Sequence, residues 1–177
     1  MKNTVKDTVK GTVPNAGLLR VTTPSEREIA MTRVFDAPRA LVFDAHTKPE
    51  LVKRWLGVFR GWSMAVCEID LKVGGTYRYL WRGPGGKEMG MRGVYREVVR
   101  PERMVCTEAF DESWYDGEAL DTTVLVERGG KTTLTTTVLY DSREIRDAVL
   151  KSPMESGVAK GYDNLAELLT VVRTVST

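Results

Sequence analysis

Two short helices wedged directly behind the first predicted strand constrain this chain more than anything else in its sequence. The strand runs over Glu28–Phe35, with Ile29, Met31, Arg33 and Phe35 on one face. Pro38 opens a first helix over 38–46, and a second over 49–56 follows at once. Thr47 and Glu50 have capping-box spacing with Pro49 between them, and Gly57 is placed to end the second helix. A chain that leaves a sheet through two such helices has to cross over and return to build the rest of it. That topology encloses a space, and the remaining sequence says what surrounds it.

Glycine- and proline-marked turns divide the following region into strands. Segments 62–71 and 76–81 flank Val73-Gly74-Gly75-Thr76, a turn that needs a positive φ. Gly83-Pro84-Gly85-Gly86-Lys87 leads into a strand over 89–99, and Arg100-Pro101-Glu102-Arg103 turns it into 104–110. A last hairpin joins 124–127 to 132–140. The period then changes. Asp141-Ser142-Arg143-Glu144 opens a short helix reaching Leu150, and Ser152-Pro153-Met154-Glu155 reads as a second helix start with Ser152 as its cap. Met154, Val158, Tyr162, Leu165, Leu168, Leu169 and Val172 share one face of that helix, 153–173. The predicted class is α+β: a curved antiparallel sheet of about seven strands around one long C-terminal helix. Residues 26–177 are read as a single domain. Residues 1–25, broken by Pro14, Gly17 and Pro24, are read as a tail, or as an arm that would add to a partner's sheet in a homodimer.

Composition removes several function classes. The net charge of the 177 residues is only +2, with no Lys/Arg run, so nucleic-acid binding has no electrostatic footprint. No apolar run approaches the length of a membrane span, and Met-Lys-Asn-Thr-Val-Lys-Asp has no signal-peptide core. A cytoplasmic location is expected, with Cys67 and Cys106 as reduced thiols inside strands. One histidine and two separated cysteines make no zinc site, and Gly83–Gly86 lacks the Lys-Ser/Thr of a phosphate loop. His46 has no nucleophile placed beside it in sequence. No metal and no cofactor is expected.

The pattern nonetheless resembles a known one. Arg33-Val34-Phe35-Asp36-Ala37-Pro38, Leu41-Val42-Phe43-Asp44-Ala45, Thr47-Lys48-Pro49-Glu50, Trp55 and Glu68-Ile69-Asp70-Leu71-Lys72-Val73-Gly74-Gly75 appear in order. Gly93-Val94-Tyr95, Pro101-Glu102-Arg103-Met104 and Met154-Glu155-Ser156-Gly157 follow. In this order the segments resemble the START-like helix-grip (SRPBCC) superfamily. They are most similar to the branch named after the C-terminal domain of the activator of the Hsp90 ATPase. The resemblance spans 26 to 170 and implies the helix-grip fold, which hosts lipid binders, cyclases and co-chaperone domains. The sequence departs from the usual pattern at His46, Leu56 and Val158, positions that would border a cavity.

Three functions follow as expectations. The first is non-catalytic binding of a small hydrophobic or amphipathic ligand between sheet and C-terminal helix. Trp55, Phe59, Trp62, Tyr77, Tyr79, Trp81, Met91, Tyr95, Met154, Val158 and Tyr162 are its expected lining, with Met64, Met89 and Met104 as further soft walls. Arg78 alternates with Tyr77 and Tyr79 and should point away. Arg92 and Glu108 are further polar candidates, and Glu97, sharing parity with Met91 and Tyr95, is the best candidate to reach the cavity, with a solvated place at the strand end as its equal alternative. The second is a cyclase or dehydratase using Glu97, Tyr79 or His46 as acid or base. The third, implied by the resemblance alone, is interaction with a chaperone.

Overall fold

The computed structural model describes residues 17–113 and 115–175. The elements are β1 (Arg20–Thr22), β2 (Glu28–Phe35), α1 (Arg39–Thr47), α2 (Pro49–Trp55), β3 (Ser63–Ile69), β4 (Thr76–Arg82), β5 (Glu88–Val99), β6 (Arg103–Phe110), β7 (Ala119–Arg128), β8 (Lys131–Leu139), α3 (Arg143–Lys151) and α4 (Met154–Val175). All eight strands belong to one antiparallel sheet in the order β1-β2-β8-β7-β6-β5-β4-β3. Each neighbour from β3 to β8 is reached by a hairpin. The excursion through α1 and α2 carries the chain from β2 to the opposite edge, and β8 returns to pair with β2, leaving β1 and β3 as the edges of the sheet.

The boundary drawn at residue 26 falls late. Val21 pairs with Met31, flanked by Arg20 with Thr32 and Thr22 with Ala30, which makes part of the expected tail an edge strand. Three residues bounded by turn formers carry too little alternation to be recognised as a strand. The rest of that tail or arm, residues 1–16, lies outside the described residues.

Local chemistry explains most of the helix ends, with one correction. Pro38 caps α1, and α2 has Pro49 at its first position and Lys48 as cap residue. The expected capping box does not form. Thr47 is the last residue of α1, and its hydroxyl donates back to the Phe43 carbonyl at 2.9 Å. Gly57 follows α2 because a Cβ there would stand 2.3 Å from the Lys53 carbonyl oxygen. Ser142 caps α3 by accepting from the Ile145 N–H at 3.2 Å. Ser152 ends α3 and also accepts from the Met154 N–H at 3.3 Å, so it serves the α3–α4 junction rather than α4 alone.

The helix α4 lies in the concave side of the sheet and divides the interior. Its second half drives Leu165, Leu168 and Leu169 against Phe35, Phe43, Leu125 and Leu134, all buried. Its first half presents Gly157, Val158 and Gly161 instead. Tyr162 stands at the division. Its ring meets Phe35 edge-on at 5.7 Å and Trp55 at 6.2 Å, and its hydroxyl reaches Thr136 on β8.

Candidate functional site

Beyond Tyr162 the concave face is hollow. A cavity of about 760 Å³ lies between the sheet, the first half of α4, and α1–α2. It is within the roughly 300–1,000 Å³ typical of small-molecule sites. Its wall follows directly from strand alternation. Tyr77, Tyr79 and Trp81 project from β4, Met91 and Tyr95 from β5, and Met104, Cys106, Glu108 and Phe110 from β6. Asp121 and Thr123 come from β7, and Thr136 and Val138 from β8. Helices contribute His46, Val52, Trp55, Met154, Val158 and Tyr162.

The aromatic wall is braced by backbone contacts. The Tyr77 ring lies over Gly93, its cross-strand partner, where a Cβ would sit 2.4 Å from the ring and 1.8 Å from the Thr107 carbonyl oxygen. That close approach lets the Tyr77 hydroxyl donate to the Thr107 carbonyl at 2.8 Å. Tyr77, Tyr79 and Trp81 then continue in a row, with ring centroids 5.1 and 5.9 Å apart. The indole N–H of Trp81 donates to the Leu56 carbonyl at 3.0 Å, and that of Trp55 to Ala45 at 2.8 Å. The tryptophans are therefore anchored by their polar edges and offer apolar surface to the void.

His46 is also held. Its Nδ1 is 2.8 Å from the Val42 carbonyl oxygen, which can only accept, so Nδ1 carries the proton. Burial lowers the imidazole pKa, more than the Val42 hydrogen bond raises it, and the ring is neutral at physiological pH. The ring sits 5.0 Å from Trp55.

Of the residues expected at the site, Trp55, Phe59, Trp62, Tyr77, Tyr79, Trp81, Met91, Tyr95, Met154, Val158 and Tyr162 all border the cavity. Phe59 and Met89, 39% and 44% exposed, stand at its mouth beside Val58. Arg78 points outward as expected, where with Arg92 it is ion-paired to Asp111. Glu97 does not reach the cavity, and the expectation for it is corrected. The β5–β6 register slips between Tyr95 and Glu97, Tyr95 facing Cys106 and Glu97 facing Val105. That bulge breaks the alternation. Val98 turns inward instead, and Glu97 pairs with Arg103 at 3.2 Å on the outside.

Two acids hold the interior position that Glu97 was expected to take. Glu108 and Asp121 line the cavity with their carboxyls in mutual hydrogen-bonding contact. Burial raises the Glu108 pKa, partly offset by the Asp121 hydrogen bond. Burial first, then the Glu108 charge and hydrogen bond, holds Asp121 well above the usual carboxylate range. Glu108 shares parity with Met104 and Cys106, which was readable in sequence. Asp121 was not, because β7 begins at Ala119, five residues before the apolar run that marks it.

Among the described residues no group of three His, Cys, Asp or Glu side chains could hold a metal. No described helix is long and apolar enough to cross a membrane.

A curved antiparallel sheet gripping a long C-terminal helix, with two short helices behind the first long strand and a cavity beneath, defines a helix-grip protein. Residues 36–170 match the family model of Activator of Hsp90 ATPase homolog 1-like proteins, and the chain belongs to that family. A crystal structure from Rhodobacter sphaeroides is 32% identical, covering 86% of this chain and 98% of its own at a TM-score of 0.82. A solution structure from Staphylococcus epidermidis is 25% identical, covering 85% and 93% at 0.74. A Chromobacterium violaceum structure is 26% identical, covering 82% and 98% at 0.68. No curated protein matches the sequence.

Proposed function

We propose that this protein binds a small hydrophobic or amphipathic molecule in the cavity between the sheet and the first half of α4. The observation that carries the reading is the cavity itself, about 760 Å³ of space walled by tyrosine, tryptophan and methionine in a chain whose neighbouring core is closely filled. Burying an apolar ligand against such walls releases about 25 cal/mol for each Å² removed from water. Adaptable methionines at 31, 89, 91, 104 and 154 suit a ligand of irregular outline. The exposed apolar side chains at the mouth, Val58, Phe59 and Met89, suit entry from water.

The competing reading, acid–base catalysis of the cyclase or dehydratase kind, loses Glu97, keeps Tyr79 and His46 at the cavity wall, and gains Glu108 and Asp121, which the sequence reading did not offer for it. Carboxyls with raised pKa inside an apolar cavity are what such chemistry requires. Turnover of a bound ligand, abolished by Glu108→Gln with binding kept, would favour it over simple binding.

The test uses the neutral fluorophore N-phenyl-1-naphthylamine. The protein is expected to bind it saturably at a single site with a blue shift. Val158→Trp, which fills the void from α4, is expected to weaken binding at least ten-fold, about 1.4 kcal/mol. Val171→Trp, on the exposed face of the same helix, is the control and should leave affinity unchanged. Equal affinity in the wild type and Val158→Trp would place the probe elsewhere and end the proposal.

A further inference from the structure

One place interrupts the apolar lining of the cavity. Cys106 on β6 faces Asp121 on β7, and Glu108 faces Ala119, so the two acids are diagonal neighbours on the inner face of the sheet. Their carboxyls touch. Oδ1 of Asp121 is fully buried and has no hydrogen-bond partner. Among the described residues no Lys, Arg or His acts on either carboxyl. The titratable groups that face the pair are Tyr77 on β4, Cys106 on β6, Tyr115, Tyr140 and Tyr162 on α4. Burial pushes each of these up, Tyr115 and Tyr162 to about 12, so all five are neutral at physiological pH. Among the described residues the cavity wall thus holds two acids and no Lys or Arg; the buried Arg33, which acts on Tyr162, is paired with Asp163.

We propose that the ligand of this cavity carries a basic nitrogen on an apolar body, and that Glu108 and Asp121 hold that nitrogen as an ammonium ion. The inference rests on the cavity being a ligand site and adds what the ligand must contain. A buried acceptor without a donor is costly, and so is a buried carboxylate without a counter-charge. An ammonium group in the cavity supplies donors to the carboxyl groups that line it and balances one negative charge of the pair. A neutral hydroxyl supplies the donor and leaves the charge. The rings that face the pair, Tyr77, Tyr115, Tyr140 and Tyr162, favour the same choice, since aromatic faces attract a cation and equally cover an apolar chain. Burial favours the protonated form of both carboxyls; the ammonium balances one negative charge, so its entry displaces one proton and leaves the other shared between the two carboxyls. Binding is therefore coupled to proton release, and affinity rises with pH until the amine itself deprotonates.

Decylamine and decan-1-ol, equal in apolar body, separate the possibilities. At pH 7 the amine is expected to bind at least ten-fold more tightly than the alcohol. Calorimetry of the amine in two buffers of different ionisation enthalpy is expected to report release of up to one proton per site, and none for the alcohol. In Glu108→Gln/Asp121→Asn the preference should fall to within two-fold while the alcohol still binds. Removing both buried acids leaves no uncompensated charge, so this variant should fold. Equal binding of amine and alcohol by the wild type would overturn the amine assignment and leave the cavity as a binding site. Binding of neither would overturn both.

Discussion

The two halves of the space beneath α4 share one helix, yet one is solid and the other hollow. On the solid side Leu165, Leu168 and Leu169 meet Phe35, Phe43, Leu125 and Leu134, and Leu165 and Leu134 are wholly inaccessible. On the hollow side the helix offers Gly157, Val158 and Gly161 to the aromatic row on β4. A Cβ at Gly157 would meet nothing within 4 Å, and one at Gly161 only the Trp55 ring at 3.8 Å. The difference teaches that one helix turn's choice of small residues, more than the curvature of the sheet, decides where this fold leaves room.

The sharpest way to break the contrast is to delete volume on the solid side. Leu165→Ala is expected to destabilise the protein by about 2–5 kcal/mol, the range for a large-to-small change in a close-packed core. Urea denaturation measures it, and a loss below 1 kcal/mol would mean the two halves are packed alike.

The acids give the next effect, with the opposite sign. Both have folded-state pKa values raised above those of the unfolded chain. The folded protein then holds more protons than the unfolded one, and its stability falls as pH rises above the unfolded carboxyl range near 4 toward the raised values. Glu108→Gln/Asp121→Asn should stabilise the free protein at pH 8 by about 1–3 kcal/mol and flatten that decline. A variant no more stable at pH 8 than the parent would show that the pair is well solvated in the cavity.

Smallest is the helix itself. Gly161→Ala should raise stability by about 0.5–1 kcal/mol, since the added methyl fits and alanine favours the helix. A fall in melting temperature would indicate that the turn at Gly161 is already crowded.

The aromatic wall was legible because alternation is strict where β4 pairs regularly with β5, so Tyr77, Tyr79 and Trp81 had to share a face. The long helix was legible through its spacing. Glu97 was misread because a bulge costs one residue of register and leaves no mark in the Tyr95-Arg96-Glu97 sequence. Asp121 escaped for a different reason. Its segment, Asp121-Thr122-Thr123, is polar on both faces because one face meets a cavity with hydroxyls and acids in it, so the usual apolar signature of a buried strand is missing. Features that make the interior a site are those that hide it from a hydrophobic pattern.

The β2–β8 pairing has a kinetic consequence. Thr32 and Thr135 join hydroxyls at 3.1 Å across 103 residues of chain, and every rung of that ladder spans a comparable separation. Contacts of such range form slowly, because the intervening loop has to be ordered before they repay it. The hairpins from β3 to β8 involve only local closures, so a meander without β2 and without its helical grip is the natural early species. Its inner aromatic face is still open to water, and the site is enclosed only when α4 and the α1–α2 pair cover it. A ligand held in the finished cavity is accordingly expected to slow unfolding while leaving the rate of folding unchanged.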